Sequence, residues 1–364
     1  MRRLGFSRPV GVLLLLGGLL VAVAACVLAS RLLMALPAFG RVPTPAAPVR
    51  FAGLPTPVVI RPQWTSYTYT GPINDLALSN GLLWAATGGG LVVWDGAGAS
   101  VRFAVEHGLA ANRVNSVAIG RDGAIWAATA GGLSRYDGRA WQTFTTADGL
   151  PANGVYDVVV DRDGIVWAGT HAGLARYDGQ EWRAYRSEGL FAALPGDVVY
   201  DLAVDSANRL WVATLGGLAR LEGERWTPLP APYNDSDLPI FALAAGPNGV
   251  VWGMTEVELV RFDGATIDAF ARAASSPSGL PVYGVVGLAV AAGGAVYAAD
   301  AGQGPIERLD PQTGDREIIA VGSRADELAA NGALLVDESG ALWAGLGDSV
   351  RRLAGGQWSV LAGP

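Results

Sequence analysis

The stretch GAIWAATAGGLSRYDGRAWQTF at residues 123–144 recurs along the chain with small changes. It returns as GIVWAGTHAGLARYDGQEWRAY at 164–185 and as NRLWVATLGGLARLEGERWTPL at 208–229. One aromatic residue anchors each unit, and successive anchors lie between 41 residues (Trp126 to Trp167) and 46 residues (Tyr297 to Trp343) apart. A steady period in this range is typical of solenoids, propellers and other repeat arrays. The seven anchors are Trp84, Trp126, Trp167, Trp211, Trp252, Tyr297 and Trp343.

Each unit is expected to form four short antiparallel strands, because apolar runs alternate with turn residues. Asp-Gly pairs such as Asp137-Gly138 and Asp178-Gly179 lie between these runs, and this pair favours the tight turn of a β-hairpin. No part of 64–364 shows a sustained apolar period of 3.6 residues, which argues against long helices. In the third unit the four runs are VYDVVVD, IVWAGT, LARYD and EWRAY, at 155–161, 165–170, 174–178 and 181–185.

A four-stranded antiparallel sheet repeated seven times predicts an all-β fold, the seven-bladed β-propeller. The anchor tryptophan is expected to wedge between neighbouring blades, and the small alanine or glycine after it lets the sheets approach. Closure of the ring has two alternatives, because QWTSYT at 63–68 and GQWSVL at 356–361 both resemble the fourth strand of a blade. The sequence does not choose between these two segments.

The N-terminal region predicts one hydrophobic helix ahead of the propeller. Residues 10–30 are 21 positions without a charge, enough to cross a bilayer. Three arginines precede this run, so the positive-inside rule places the N-terminus in the cytoplasm and the propeller outside, in the periplasm or at the cell surface. We expect a signal anchor or transmembrane helix at 1–36, a proline-rich linker at 37–62 and the propeller at 63–364.

A second interpretation of the N-terminus is a lipoprotein signal. VAAC at 23–26 resembles the bacterial lipobox, in which Cys26 is the lipidated residue. Both interpretations export the propeller and attach it to the membrane through its N-terminus. Cys26 is the only cysteine of the chain, so the exported part is expected to contain no disulfide.

Charge and motifs narrow the classes of function. The formal net charge of −7 argues against a nucleic-acid partner, which would favour a basic stripe. No stretch has the spacing of a metal site, a phosphate loop or a nucleophile elbow, so neither a metal nor a cofactor is expected. DRDG at 161–164 resembles the start of a calcium-binding loop, but it lacks the downstream glutamate. This favours a plain turn.

The stretch from Leu133 to Trp167, which includes FTTADGLPANGVYDVVVDRDG at 144–164, resembles the two-component regulator propeller repeat. Weaker copies extend the resemblance over residues 64–364. In that family such propellers are usually periplasmic sensor regions of membrane-spanning hybrid histidine kinases, and many are thought to detect saccharides. No histidine-kinase or receiver motif accompanies the propeller in these 364 residues. If the chain signals, we therefore expect a separate kinase as its partner.

Ligand sites of propellers usually lie at one mouth of the central channel, on loops that join strands and blades. At the third position after the anchor, five units carry threonine, whereas the sixth carries Asp300. Polar or aromatic residues recur eleven positions before the anchor, and two longer connections occupy 228–241 and 271–284. Amide and aromatic groups around a mouth suit a sugar or a peptide. The predicted ligand-binding residues are Asn115, Tyr156, His171, Tyr200, Tyr233, Glu256, Tyr283 and Asp300.

One column of polar residues has a structural interpretation instead. Asp75, Ser116, Asp157 and Asp201 recur next to the mouth positions in the first four units. Because the column repeats from blade to blade, we expect these side chains to pair with backbone amides of the inner strands.

Three classes of function follow. The first is a membrane-tethered recognition module outside the cytoplasm, which binds a saccharide, a peptide or an envelope protein and performs no catalysis. The second is a propeller lyase or hydrolase, for which His107, His171, Glu256 and Asp300 are the available acids and bases. The third is an interaction scaffold within an envelope complex, which an exposed apolar face would favour.

Overall fold

The structure, a computed structural model, is built from β-sheets that follow one another along the chain. It describes residues 71–95, 100–188, 193–229, 239–255, 258–264, 266–271, 287–299, 306–319, 330–346 and 349–361. Within these ranges seven four-stranded sheets form seven blades, and each blade consists of four consecutive antiparallel strands. The predicted all-β, seven-bladed propeller is confirmed.

The strands are short, as the spacing of the turns predicts. Blades 1 to 4 contain β1 Ile73–Ser79, β2 Leu82–Thr87, β3 Gly90–Trp94, β4 Ser100–Phe103, β5 Val114–Ile119, β6 Ile125–Thr129, β7 Gly132–Tyr136, β8 Trp141–Phe144, β9 Val155–Val160, β10 Val166–Thr170, β11 Gly173–Tyr177, β12 Trp182–Tyr185, β13 Val199–Val204, β14 Leu210–Thr214, β15 Gly217–Glu222 and β16 Arg225–Pro228. Blades 5 to 7 contain β17 Ala242–Ala245, β18 Val251–Met254, β19 Glu258–Phe262, β20 Ile267–Ala271, β21 Gly287–Val290, β22 Val296–Ala299, β23 Ile306–Leu309, β24 Arg316–Ile319, β25 Ala330–Val336, β26 Leu342–Leu346, β27 Ser349–Ala354 and β28 Gln357–Leu361.

The first strand of each blade lies innermost, because it contacts the first strands of both neighbouring blades. This series of contacts runs from β1 to β25 and returns from β25 to β1, so the inner strands form a closed ring. The fourth strand of the seventh blade is β28, and it pairs with β27. The segment at 356–361 therefore completes the last blade, whereas 63–68 lies outside the described residues.

The anchor tryptophans lie between blades, as predicted. Trp126 of blade 2 is 3% exposed and packs in one cluster with Val155 and Val158 of blade 3. Gly169, two residues after Trp167, shows why small residues follow the anchor. A Cβ atom at Gly169 would lie 2.6 Å from Cγ1 of Val199 in blade 4, so a larger residue would force the two sheets apart.

An arginine lies directly opposite the anchor, on the third strand, in blades 2 to 7. The guanidinium of Arg135 lies 5.7 Å from the ring centroid of Trp126 and pairs with Asp122 at 2.7 Å. Cation–π contact and the ion pair both hold this side chain over the tryptophan. The arginine of the repeat is therefore part of the blade architecture.

The DRDG segment forms a turn that its first aspartate organises. Oδ1 of Asp161 accepts hydrogen bonds from the amides of Asp163 and Ile165, both at 2.9 Å. Oδ2 accepts from the indole Nε1 of Trp167 at 3.0 Å. Both oxygens of Asp161 therefore stabilise the turn and the anchor. Among the described residues, no group of three His, Cys, Asp or Glu side chains is arranged to hold a metal ion.

The described ranges contain two helical turns, the 3-10 helices Val105–His107 and Pro247–Gly249. No helix in the described part of the chain has the length and apolar composition of a membrane span. The hydrophobic run at 10–30, with Cys26, and the linker at 37–62 lie outside the described residues.

Candidate functional site

Four consecutive blades carry a β-bulge at the start of the innermost strand. In blade 3, Val155 pairs with Thr170 and Asp157 pairs with Gly169, so Tyr156 is the extra residue between them. A bulge turns its residue away from the regular pleat, and bulges are over-represented near functional sites. The bulged residues of blades 1 to 4 are Asn74, Asn115, Tyr156 and Tyr200. Asn115, Tyr156 and Tyr200 are positions that the sequence predicts at the channel mouth, and we call the set of four the bulge ring.

The first half of the bulge ring consists of amides that join neighbouring blades. Nδ2 of Asn74 donates to the carbonyl oxygen of Val114 in blade 2 at 2.6 Å. Nδ2 of Asn115 donates to the carbonyl oxygen of Val155 in blade 3 at 2.7 Å, and its Oδ1 accepts from Nε of Arg113 at 3.1 Å. Asn115 thus has a structural role, and Arg113 is an exposed cation beside it that the sequence analysis did not single out.

The second half of the bulge ring is aromatic and more accessible. Tyr156 is 41% exposed, and its ring centroid lies 6.3 Å from that of His171, an exposed residue on the β10–β11 turn. The half-buried ring of Tyr200 lies 5.4 Å from that of Phe241 in the next blade. The structure therefore brings Tyr156 and His171 together, and it pairs Tyr200 with an aromatic neighbour.

Leu215 belongs to the same end of the propeller, although the sequence analysis did not select it. It is 44% exposed and follows Thr214 on the β14–β15 turn, as His171 follows Thr170 on the β10–β11 turn. Its signal in the sequence is this shared position. Exposed apolar and aromatic side chains of blades 3 and 4 thus lie at one end of the inner strands.

A second layer of polar residues, one position further along the inner strands, ties the blades together. Asp75 accepts the amide of Val117 in blade 2 at 2.9 Å. Asp157 accepts the amide of Leu202 in blade 4 at 2.8 Å, and Asp201 accepts the amide of Leu243 in blade 5 at 2.6 Å. We call Asp75, Asp157 and Asp201 the aspartate latch. The predicted pairing of this column with backbone amides is thus found in the structure.

Ser116 takes the place of the aspartate in blade 2 and relays the connection. Its Oγ donates to Oδ2 of Asp75 at 3.0 Å and accepts the amide of Val158 at 3.4 Å. Burial raises the pKa of Asp75 to about 7, against the amide hydrogen bonds from Val117 and Leu76 that lower it. Burial and the nearby carboxylate of Asp157 also raise the pKa of Asp201 well above its usual range.

The threonines after the anchors close the turns beside the bulge ring. Oγ1 of Thr170 donates to the carbonyl oxygen of Gly173 at 2.8 Å and accepts the amide of Ala172 at 3.1 Å. The same pair of bonds recurs in blades 1, 2 and 4. Asp300 occupies this position in the sixth unit but lies outside the described residues, as do Tyr233, Glu256 and Tyr283.

His107, a candidate base in the enzyme alternative, stabilises a loop. Its Nδ1 accepts the backbone amide of Ala104 at 3.1 Å across the 3-10 helix Val105–His107. This bond occupies the nitrogen lone pair that a general base would use.

Two segments of the chain that contribute residues to this site match a family model. The model of the two-component regulator propeller matches residues 149–172 and 193–216. The chain contains two-component regulator propeller repeats. Each matched segment runs through the first two strands of a blade. The matched propeller repeats therefore include the bulged Tyr156 and Tyr200 and the latch residues Asp157 and Asp201.

Solved structures share the propeller fold at low sequence identity. The extracellular domain of BT3049, assigned to a hybrid two-component system of B. thetaiotaomicron, has a TM-score of 0.58 and 21% identity, with 76% of this chain and 38% of that chain covered. Virginiamycin B lyase from Staphylococcus aureus has a TM-score of 0.60 and 16% identity, with 77% and 93% covered. PorZ, a surface component of the type-IX secretion system of Porphyromonas gingivalis, has a TM-score of 0.56 and 13% identity, with 81% and 38% covered.

These three structures include an extracellular domain of a two-component system, a lyase and a component of a secretion system, so the shared fold alone does not select a function. The chain spans less than two fifths of the BT3049 and PorZ chains. A comparison with curated protein sequences found no match.

Proposed function

We propose that the propeller is a recognition module that acts outside the cytoplasm and binds its ligand over the aromatic half of the bulge ring. The observation that carries the proposal is the row of bulges, which brings one side chain from each of blades 1 to 4, two asparagines and two tyrosines, to one end of the closed ring of inner strands. The match to two-component regulator propeller repeats supports a sensory role. A separate kinase as the receiver of the signal and an N-terminal membrane tether are parts of the same proposal.

The chemistry of the bulge ring favours a ligand with both an apolar face and hydroxyl or amide groups. Tyr156 and His171 offer ring faces beside hydrogen-bonding atoms, and Leu215 adds exposed apolar surface. Arg113, at the amide side, supplies an exposed cation. Saccharides and short peptides combine these features, and a site with few precisely placed polar groups around an apolar floor is typical of small-ligand recognition.

A thermal-shift screen of the purified full-length chain tests the proposal, with oligosaccharides of defined composition and short peptides as probes. A saturable rise in Tm identifies the ligand class, because a ligand that binds only the folded state raises Tm by mass action. The Tyr156→Ala and Tyr200→Ala variants should then lose most of that rise. Ile318→Ala, which alters a 51% exposed side chain on the outer strand β24, is the matched control.

Two outcomes would contradict the proposal. A ligand whose affinity is unchanged in Tyr156→Ala and Tyr200→Ala binds elsewhere on the molecule. The absence of any shift across the panel excludes these probes and favours the scaffold alternative, for which cross-linking in the native membrane would be the next measurement.

A further inference from the structure

Clusters of three aromatic rings join neighbouring blades near their outer strands. Each cluster contains the aromatic residue at the end of the fourth strand of one blade. Its other two rings belong to the next blade, where a tyrosine on the third strand pairs with a tryptophan on the fourth strand. In the first two clusters the ring centroids lie 4.7 to 5.5 Å apart. The members are Phe103, Tyr136 and Trp141 between blades 1 and 2, and Phe144, Tyr177 and Trp182 between blades 2 and 3.

Among the residues that the structure describes, the interface between blades 3 and 4 lacks one ring of this cluster. Tyr185 and Trp226 keep their places, with ring centroids 5.4 Å apart. The residue that pairs with Trp226 across the strands is Leu221, where blades 2 and 3 carry tyrosine. A cavity of about 330 Å³ lies here, bounded by Tyr185, Leu221 and Trp226, with Trp167 and Gly223 also on its wall.

Charged groups of both signs also line the cavity. The guanidinium of Arg183 lies 5.2 Å from the ring centroid of Tyr185. Arg176 lies 5.9 Å from the ring centroid of Trp167 and pairs with Asp178 at 3.3 Å. Glu224, an exposed residue of the β15–β16 turn, contributes a carboxylate. The cavity therefore combines aromatic walls with cations and one anion.

We propose that this cavity binds a free aromatic amino acid. The ligand ring would lie against Trp226 and Tyr185, where the neighbouring interfaces place the ring of a tyrosine of the chain. The ligand carboxylate would pair with the guanidinium of Arg183 and its ammonium with the carboxylate of Glu224, since both side chains line the cavity and an amino acid carries both charges on its α-carbon. A volume of about 330 Å³ lies at the lower end of the range of small-ligand pockets.

This site is separate from the bulge ring, because it lies between outer strands rather than at the inner ones. Its occupancy would stabilise the contact between two blades, and a propeller with a second ligand would respond to two chemical inputs. The proposal therefore stands or falls independently of the ligand that the bulge ring binds.

Ligand-observed NMR titration of the full-length chain with L-phenylalanine tests the site. For a ligand of this size we expect a Kd of roughly 1 mM or tighter. L-Leucine tests the need for the ring, and phenethylamine, which lacks the carboxylate, tests the role of Arg183. Both should bind at least about tenfold more weakly than L-phenylalanine. L-Leucine lacks the ring that stacks on the aromatic wall, and phenethylamine loses the charged contact with Arg183.

Two variants import the residues that blade 2 carries at the same positions. Leu221→Tyr, which introduces the residue that blade 2 carries as Tyr136, should fill the cavity with a ring and abolish binding while the protein keeps its Tm. Arg183→Gln, which introduces the counterpart of Gln142, should weaken L-phenylalanine binding by roughly tenfold and leave phenethylamine binding unchanged. Arg139→Gln, on the exposed β7–β8 turn, is the control for loss of one positive charge.

The proposal is overturned if no binding is detected at an L-phenylalanine concentration of roughly 10 mM, which is tenfold the expected Kd. It is also overturned if Leu221→Tyr folds with an unchanged Tm and still binds L-phenylalanine as tightly as the wild type. Equal binding of L-leucine and L-phenylalanine would likewise contradict the role assigned to Trp226 and Tyr185.

Discussion

The carboxylate of Asp75 accepts a hydrogen bond from the backbone amide of Val117, 2.9 Å away on the innermost strand of the next blade. Asp157 and Asp201 repeat the contact at two further blade interfaces. A propeller has no strand pairing between blades, so side chains must provide the polar connections of its inner ring. The latch places such connections directly beneath the bulge ring, where they hold the candidate site in register.

Asp75→Asn should change how stability depends on pH. Asp75 has a pKa of about 7 in the folded protein and 3.8 as its ordinary value. The folded state therefore binds this proton more tightly, and its contribution to stability falls as the pH rises from 3.8 to 7. Between pH 5 and pH 8 the wild type should lose about 2–3 kcal/mol of stability relative to Asp75→Asn. Urea denaturation at several pH values measures the difference.

Asp137→Asn is the control for that experiment. Asp137 is exposed, and hydrogen bonds from the amides of Ala140 and Arg139 lower its pKa. It stays ionised from pH 5 to pH 8, so its variant should follow the wild type in parallel. If the stability of Asp75→Asn also ran parallel to that of the wild type from pH 5 to pH 8, this would contradict the raised pKa of Asp75.

Asp161→Ala should destabilise the protein by about 2–4 kcal/mol, because three donors lose the acceptor that the buried carboxylate of Asp161 provides. Asp137→Ala, which removes two amide contacts in an exposed turn, should cost about 0.5–1 kcal/mol. Chemical denaturation measures both variants. Addition of calcium should leave the Tm of the wild type unchanged, and a saturable calcium-dependent rise would show that Asp161 has a role beyond the turn.

Gly345→Ala should loosen the contact between the last blade and the first. A Cβ atom at Gly345 would lie 2.7 Å from Cγ2 and 2.8 Å from Cβ of Ile73 on β1. Neither atom is the far end of a flexible chain, so the blades must shift, at a cost of about 1–3 kcal/mol. Gly293→Ala meets no atom within 4 Å and should be close to neutral. Equal stabilities of the two variants would refute the tight fit at this interface.

Tyr156→Ala should leave stability nearly unchanged, because the side chain is 41% exposed. We expect a change below about 0.5 kcal/mol, typical of surface positions. Tyr185→Ala, which removes a ring that is 8% exposed and packs on Trp226, should cost about 3 kcal/mol. A large loss in Tyr156→Ala would assign that ring to packing between blades and remove it from the candidate site.

The blade pattern could be predicted from the sequence because each of its determinants is local. The interval from Trp126 to Trp167 fixes one unit, and Asp178-Gly179 fixes one of its hairpins. The partners of the latch could not be predicted in the same way. The amide that Asp157 binds belongs to Leu202, and only the closed ring brings that strand alongside.

The candidate site was predicted less completely. The eleven-residue spacing before the anchor selects Asn115, Tyr156 and Tyr200, but a bulge is visible only in the pairing register of two strands. The substitution of leucine for tyrosine at Leu221 is visible in the sequence. Its cavity is not, because the volume depends on how Tyr185, Trp226 and the β15–β16 turn pack together.

The four strands of the seventh blade follow one another at the C-terminal end of the described chain, and β25 packs against β1. During synthesis the blades therefore emerge in order, and the face of β1 that meets β25 stays exposed to water until the last blade has left the ribosome. Ile73, 1% exposed in the finished ring, lies on that face. A nascent propeller of this kind carries an unfinished hydrophobic edge for most of its translation.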